Sequence, residues 1–73
     1  GDLNIGFTLQ SQGNVTLKIF DFTGRELSNY NYGEIEAGSY IETLKLTSFK
    51  TGSYFYSLTS NEINIGTGKI IKK

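Results

Sequence analysis

The chain is predicted to fold as an all-β antiparallel sandwich of six to seven strands, and three observations predict it. Thr, Ile, Val, Phe and Tyr supply 27 of its 73 residues, and side chains branched or aromatic near the backbone pack well on a pleated sheet. Apolar and polar residues alternate with a period of two in short runs, and no stretch carries a helical period. Nine glycines mark turns between those runs, which recur at roughly 8–14-residue intervals.

The first run, Asn4 to Leu9, puts Ile5, Phe7 and Leu9 on one face, with Leu3 extending it. A polar stretch from Gln10 to Asn14 contains Gly13, and Val15 to Phe20 alternates again through Val15, Leu17 and Ile19. Two alternating runs joined by a short glycine-containing link read as a hairpin. Asp21-Phe22-Thr23-Gly24 reads as a turn, in which Asp bonds the N–H two residues on and Gly suits the exit. From Arg25 to about Tyr32 the alternation is weak, as on an edge strand. Gly33 to Gly38 reads as a loop carrying Glu34 and Glu36, with Ile35 turned inward.

Ser39 to Leu46 resumes the pattern through Tyr40, Leu44 and Leu46. Glu42 shares that face and is expected at a rim, because an unpaired buried carboxylate is costly. Thr47 to Gly52 is a turn with Phe49 closing the core. The next strand carries Tyr54, Tyr56 and Leu58, Ser60 to Asn64 a hairpin loop, and Ile65 to Lys72 the closing strand. Gly66-Thr67-Gly68 reads as a bulged part of that strand, since no strand-turn-helix setting makes it a phosphate loop. No internal repeat is evident, and residues 1–73 read as a single domain.

Composition narrows the chemistry. Histidine and cysteine are absent, which excludes His-based triads, thiolate zinc sites, disulfides and haem ligation by either residue. Seven basic residues balance seven acidic ones, which argues against a nucleic-acid binder. No apolar run is long enough to span a bilayer and no leader-like segment opens the chain. Glu34, Glu36 and Glu42 could suggest the paired carboxylates of a glycosidase, but a solvated loop explains the first two better. Asp21 reads as a turn residue, since calcium needs several clustered oxygen ligands. No metal, cofactor or small-molecule substrate is expected. Tyr40, Tyr54 and Tyr56 read as core. Tyr30, Tyr32 and Phe55 are freer, and are the candidates for a sugar-stacking platform. Lys69-Ile70-Ile71-Lys72-Lys73 holds three of the seven basic residues and reads as an edge-blunting strand end or a recognition tag.

Four segments in fixed order favour the tag. They are Gly13-Asn14-Val15-Thr16-Leu17-Lys18-Ile19-Phe20-Asp21-Phe22-Thr23-Gly24-Arg25, then Glu36-Ala37-Gly38-Ser39-Tyr40, then Leu46 with Phe49-Lys50-Thr51-Gly52-Ser53-Tyr54-Phe55-Tyr56-Ser57-Leu58, and the closing Lys69-Ile70-Ile71-Lys72. Together they resemble the type A C-terminal sorting domain of the Bacteroidetes type IX (Por) secretion system, from about Leu3 to Lys73. Lys50 stands where that family often has proline, Glu42 where it usually has an apolar residue, and the Asn-Pro-rich segment that commonly precedes the first strand is missing. The related immunoglobulin-like domain of flagellar hook-capping proteins shares the fold and parts of the pattern.

The resemblance implies an immunoglobulin-like sandwich from the end of a larger secreted protein. It implies a non-catalytic signal that directs its fused N-terminal cargo from the periplasm to the outer-membrane translocon. A sortase-like protease at the cell surface would then remove the domain. Direct partner contact is expected at Lys69, Ile70, Ile71, Lys72 and Lys73. Gly24, Gly38 and Gly52 are expected to set turns, and Tyr54 to anchor the core. A carbohydrate-binding module using Tyr30, Tyr32 or Phe55, or a structural immunoglobulin-like module, is the alternative.

Overall fold

A computed structural model describes residues Asp2 to Lys73. They form six strands: β1 (Asp2–Leu9), β2 (Gly13–Asp21), β3 (Glu26–Ile35), β4 (Gly38–Lys45), β5 (Gly52–Ser60) and β6 (Ile63–Lys72). All pairings are antiparallel. β1 and β4 make a two-stranded sheet, and a four-stranded sheet runs in the order β3-β2-β5-β6.

The apolar faces read from the sequence meet between these sheets. Ile5, Leu9 and Leu44, with Leu46 just beyond β4, come from one side; Val15, Leu17, Ile19, Tyr54, Leu58 and Ile70 come from the other. Val15, Leu17 and Ile19 on β2 are fully buried, because β2 is central in its sheet and covered on its inner face. No polar or charged residue is buried among the described residues. Each large aliphatic side chain buried this way contributes about 1.5–3 kcal/mol, which stabilises a chain that has no cysteine for a disulfide.

The expected hairpin of the first two runs does not form. β1 pairs with β4 in full register, Asp2 opposite Lys45 and Leu9 opposite Gly38, and residues 10–12 arch across to the other sheet. Alternation fixes which face is apolar, but not whether two such faces lie side by side or stack. Here they stack. The loop expected from Gly33 to Gly38 is also shorter, because β3 continues to Ile35, which packs against the core. The expected Ser60 to Asn64 loop contracts to Asn61-Glu62, two residues with φ of 50° and 68°. That is the left-handed pair of a type I′ hairpin turn. Asn61 holds the first position, where asparagine is favoured, and its side chain and backbone both bond to Asn14, at 2.9 and 2.8 Å; Glu62 takes the second, usually given to glycine.

Three bulges break the ladders. β2 and β3 slip between Val15 and Thr16 and between Ile19 and Phe20, and β5 and β6 slip between Leu58 and Thr59. The last of these leaves Ile65 unpaired, so the irregularity of the closing strand falls one residue before the expected Gly66-Thr67-Gly68, which pair in register with Leu58, Ser57 and Tyr56. Gly68 has a separate reason: a Cβ there would collide with the Tyr56 ring.

Candidate recognition surface

The closing strand β6 is an edge strand, bonded to β5 on one flank only. Successive side chains along it point to opposite faces. Ile70 turns into the core at 2% exposure, whereas Ile71 is 61% exposed. Lys69 is also exposed, as is Lys73 beyond the strand, and Lys72 is half-buried. The five expected contact residues therefore divide. Ile70 holds the strand to the core, and the other four side chains reach solvent.

Two corners support the ends of the sandwich. At the start of β5, Gly52 has φ of 152° and Tyr54 donates its hydroxyl to the Lys50 carbonyl at 2.6 Å. The Tyr54 ring is buried and packs on Phe49 with centroids 4.9 Å apart. At the start of β4, Gly38 has φ of 153°, Tyr40 donates to the Glu36 carbonyl at 2.6 Å, and its ring stacks on Phe7 at 5.5 Å. Extended backbone at such positive φ is reached almost only by glycine. Reading the sequence for repeats missed this duplication. Its signal is Gly-Ser-Tyr at 38–40 and again at 52–54.

The turn after β2 is built as its residues predict. The Asp21 carboxylate accepts bonds from the Thr23 and Arg25 backbone N–H groups at 2.9 and 3.0 Å. It also accepts from the Thr23 hydroxyl at 2.5 Å and Arg25 Nε at 3.2 Å. Gly24 takes φ of 91°, and its N–H donates to the Asp21 carbonyl at 3.0 Å. The Thr23 hydroxyl first, and then the backbone N–H groups and Arg25, hold the Asp21 carboxyl below its ordinary value despite some desolvation.

The sugar-platform residues divide between two faces, Tyr30 and Tyr32 on the inner one and Phe55 on the outer. Tyr32 is half-buried and packs against the core, because it lies two residues from Tyr30 and shares the inner face that Tyr30 takes opposite Leu17. Its hydroxyl is shielded from solvent and lacks a hydrogen-bond partner among the described residues. Burial, followed by the nearby Glu42 carboxylate, raises its pKa well above the usual tyrosine range. Tyr30 lies opposite Leu17 on the inner face, and Phe55 opposite Phe20 on the outer one. Glu42 sits on β4, an edge of its sheet, half-buried opposite Ile5. Glu34 and Glu36 are exposed.

Among the described residues, no group of three or more His, Cys, Asp or Glu could hold a metal ion, and no helix is long and apolar enough to cross a membrane. An open strand edge and two braced corners characterise this small β-sandwich. A family model described as the secretion system C-terminal sorting domain matches residues 1–73. The chain belongs to that family: it is a non-catalytic C-terminal secretion signal of the type IX system. Its route runs through the periplasm to the cell surface or beyond. No curated protein and no solved structure shows a matching similarity.

Proposed function

We propose that residues 1–73 are one sorting unit from the end of a larger secreted protein, and that the outer-membrane translocon of the type IX pathway reads it through β6. The free flank of β6 carries this reading. An edge strand presents unpaired backbone donors and acceptors, which suits docking by strand addition. Lys69, Ile71, Lys72 and Lys73 offer side chains to the receptor, while Ile70 contributes backbone and keeps the strand in place. Gly24, Gly38 and Gly52 set the turns, and Tyr54 fixes the corner beneath the recognised end. A sortase-like surface protease then separates the domain from its N-terminal cargo. The sandwich is immunoglobulin-like in kind, supported by the Tyr54 hydroxyl bonding back to the Lys50 carbonyl in the manner of a tyrosine corner.

A periplasm-targeted reporter fused to the domain, in a host with the type IX system, tests this. Changing Lys69, Lys72 and Lys73 to Gln should strand the reporter in the periplasm while the melting curve of the purified domain stays near that of the parent. Deleting residues 70–73 should also strand it, but removes core area with Ile70. Normal export of both variants would exclude the tail as the recognised element.

A further inference from the structure

The formal charge of zero conceals a polarised molecule. β6 ends at Lys72, opposite Gly52; β4 ends at Lys45, opposite Asp2; and the β4–β5 turn carries Lys50. Arg25 follows the β2 turn, and Asp21 in that turn is opposite Tyr54. The register thus gathers Arg25, Lys45, Lys50, Lys72 and Lys73 at one end of the sandwich. Glu34, Glu36 and Glu62 lie at the other, where residues 9–15, 33–39 and 60–65 include no Lys or Arg.

At the basic end the Asp21 turn and the turn before β5 stand apart, leaving an open cleft of about 560 Å³. Its lining includes Phe22, Leu27, Phe49 and Tyr54, with Arg25 and Lys50 beside them. Phe22 is 76% exposed, although large aromatic rings are usually at least partly covered. The Arg25 side chain pairs with Asp21 through Nε alone among the described residues, so its two terminal amino groups remain to bind a further carboxylate. Arg presents such donors in a planar fork matched to carboxylates. Of the acids at this end, Asp2 stands opposite Lys45, Asp21 pairs with Arg25 at 3.2 Å and Glu26 faces Lys18 at 3.7 Å, which leaves Lys50, Lys72 and Lys73 without a carboxylate partner among the described residues.

We infer that this cleft docks an acidic protein segment: a chain with an aromatic or aliphatic side chain set between the two turns and carboxylates on Arg25 and Lys50. The inference rests on the sorting reading and deepens it. It names the chemistry of the receptor and places a second contact next to the tail. A groove between two turns accommodates an extended chain, whereas a flat anionic surface would leave the cleft empty.

The probe is an acetylated, amidated pentapeptide with four carboxylate residues around a central phenylalanine, titrated into the 73-residue chain and followed by amide NMR shifts. Saturable shifts should map to residues 21–27 and 48–54. Affinity should fall at least about tenfold between roughly 0.02 and 0.3 M salt, as for any contact led by exposed charges. It should fall at least about tenfold in R25Q/K50Q and measurably in K50Q alone, a change that keeps the Lys50 carbonyl for Tyr54. Equal binding of the matching amide peptide, shifts elsewhere, or no saturation would overturn the inference. So would binding to phosphatidylglycerol vesicles in place of the peptide, or self-association that accounts for the shifts. Absent peptide binding together with lost export in the terminal lysine variant would sink this inference alone. Peptide binding with normal export of that variant and of the 70–73 deletion would sink the tail reading alone.

Discussion

The two Gly-Ser-Tyr corners use the same local device under different loads. Each begins a strand with a glycine near φ 150° and returns a tyrosine hydroxyl to a carbonyl four residues back at 2.6 Å. The later one leads into β5, bonded on both flanks, and its ring is 9% exposed. The earlier one leads into β4, an edge of the two-stranded sheet, and its ring is only half-covered. Identical hydrogen-bond geometry therefore need not mean equal stabilisation; what surrounds the ring decides.

Truncating the rings should separate the corners most. Tyr54→Ala should cost about 3–5 kcal/mol by emptying a buried aromatic site, and Tyr40→Ala about 2 kcal/mol, since less apolar area leaves water. Urea unfolding with matched m-values measures both, and equal losses would break the comparison. The glycines should instead behave alike. Gly52→Ala and Gly38→Ala should each cost about 1–3 kcal/mol, because both impose the same backbone strain. No contact closer than 3.7 Å awaits the added carbon at either site. Removing only the hydroxyl should give the smallest stability effect: about 1 kcal/mol for Tyr54→Phe and less for Tyr40→Phe, whose bond is exposed.

Two pH limbs sharpen the contrast further. Tyr32 is a tyrosine with a buried hydroxyl and no corner carbonyl. Its folded pKa is raised, so its contribution is complete below the unfolded value near 10 and is lost as pH rises beyond it. Tyr32→Phe should flatten the alkaline fall in melting temperature. Asp21 has a lowered folded pKa, so its contribution is present above the unfolded value near 4 and fades as pH drops below it. Asp21→Asn should remove that acid limb while leaving the alkaline one unchanged.

The alternation of Val15, Leu17 and Ile19 made β2 legible as a core strand, and weak patterning marked β3 as an edge. The partner of β1 was not legible, because period two specifies a face and not a neighbour. Tyr32 reads as free for a related reason: a bulge shifts the phase of everything beyond it, and the extra Leu27 between Ile19 and Phe20 turns Tyr30 and Tyr32 to the core face. Asn61-Glu62 lacks the glycine that usually signals a two-residue hairpin turn. The lysine-rich tail could be read from the end of the chain. Its convergence with Arg25 and Lys50 could not, since that depends on strand register rather than on proximity in sequence.

The arch between β1 and β2 also decides how the domain carries mechanical load. Because β1 crosses to pair with β4, Asp2 and Lys72 lie at the same end, each on an edge strand of a different sheet. Tension applied between them bears first on the terminal pairs, Asp2 with Lys45 and Lys72 with Gly52. The ladders are then peeled one rung at a time rather than sheared along their whole length. Tension between those two residues would unzip the sandwich from the end that carries the basic cleft.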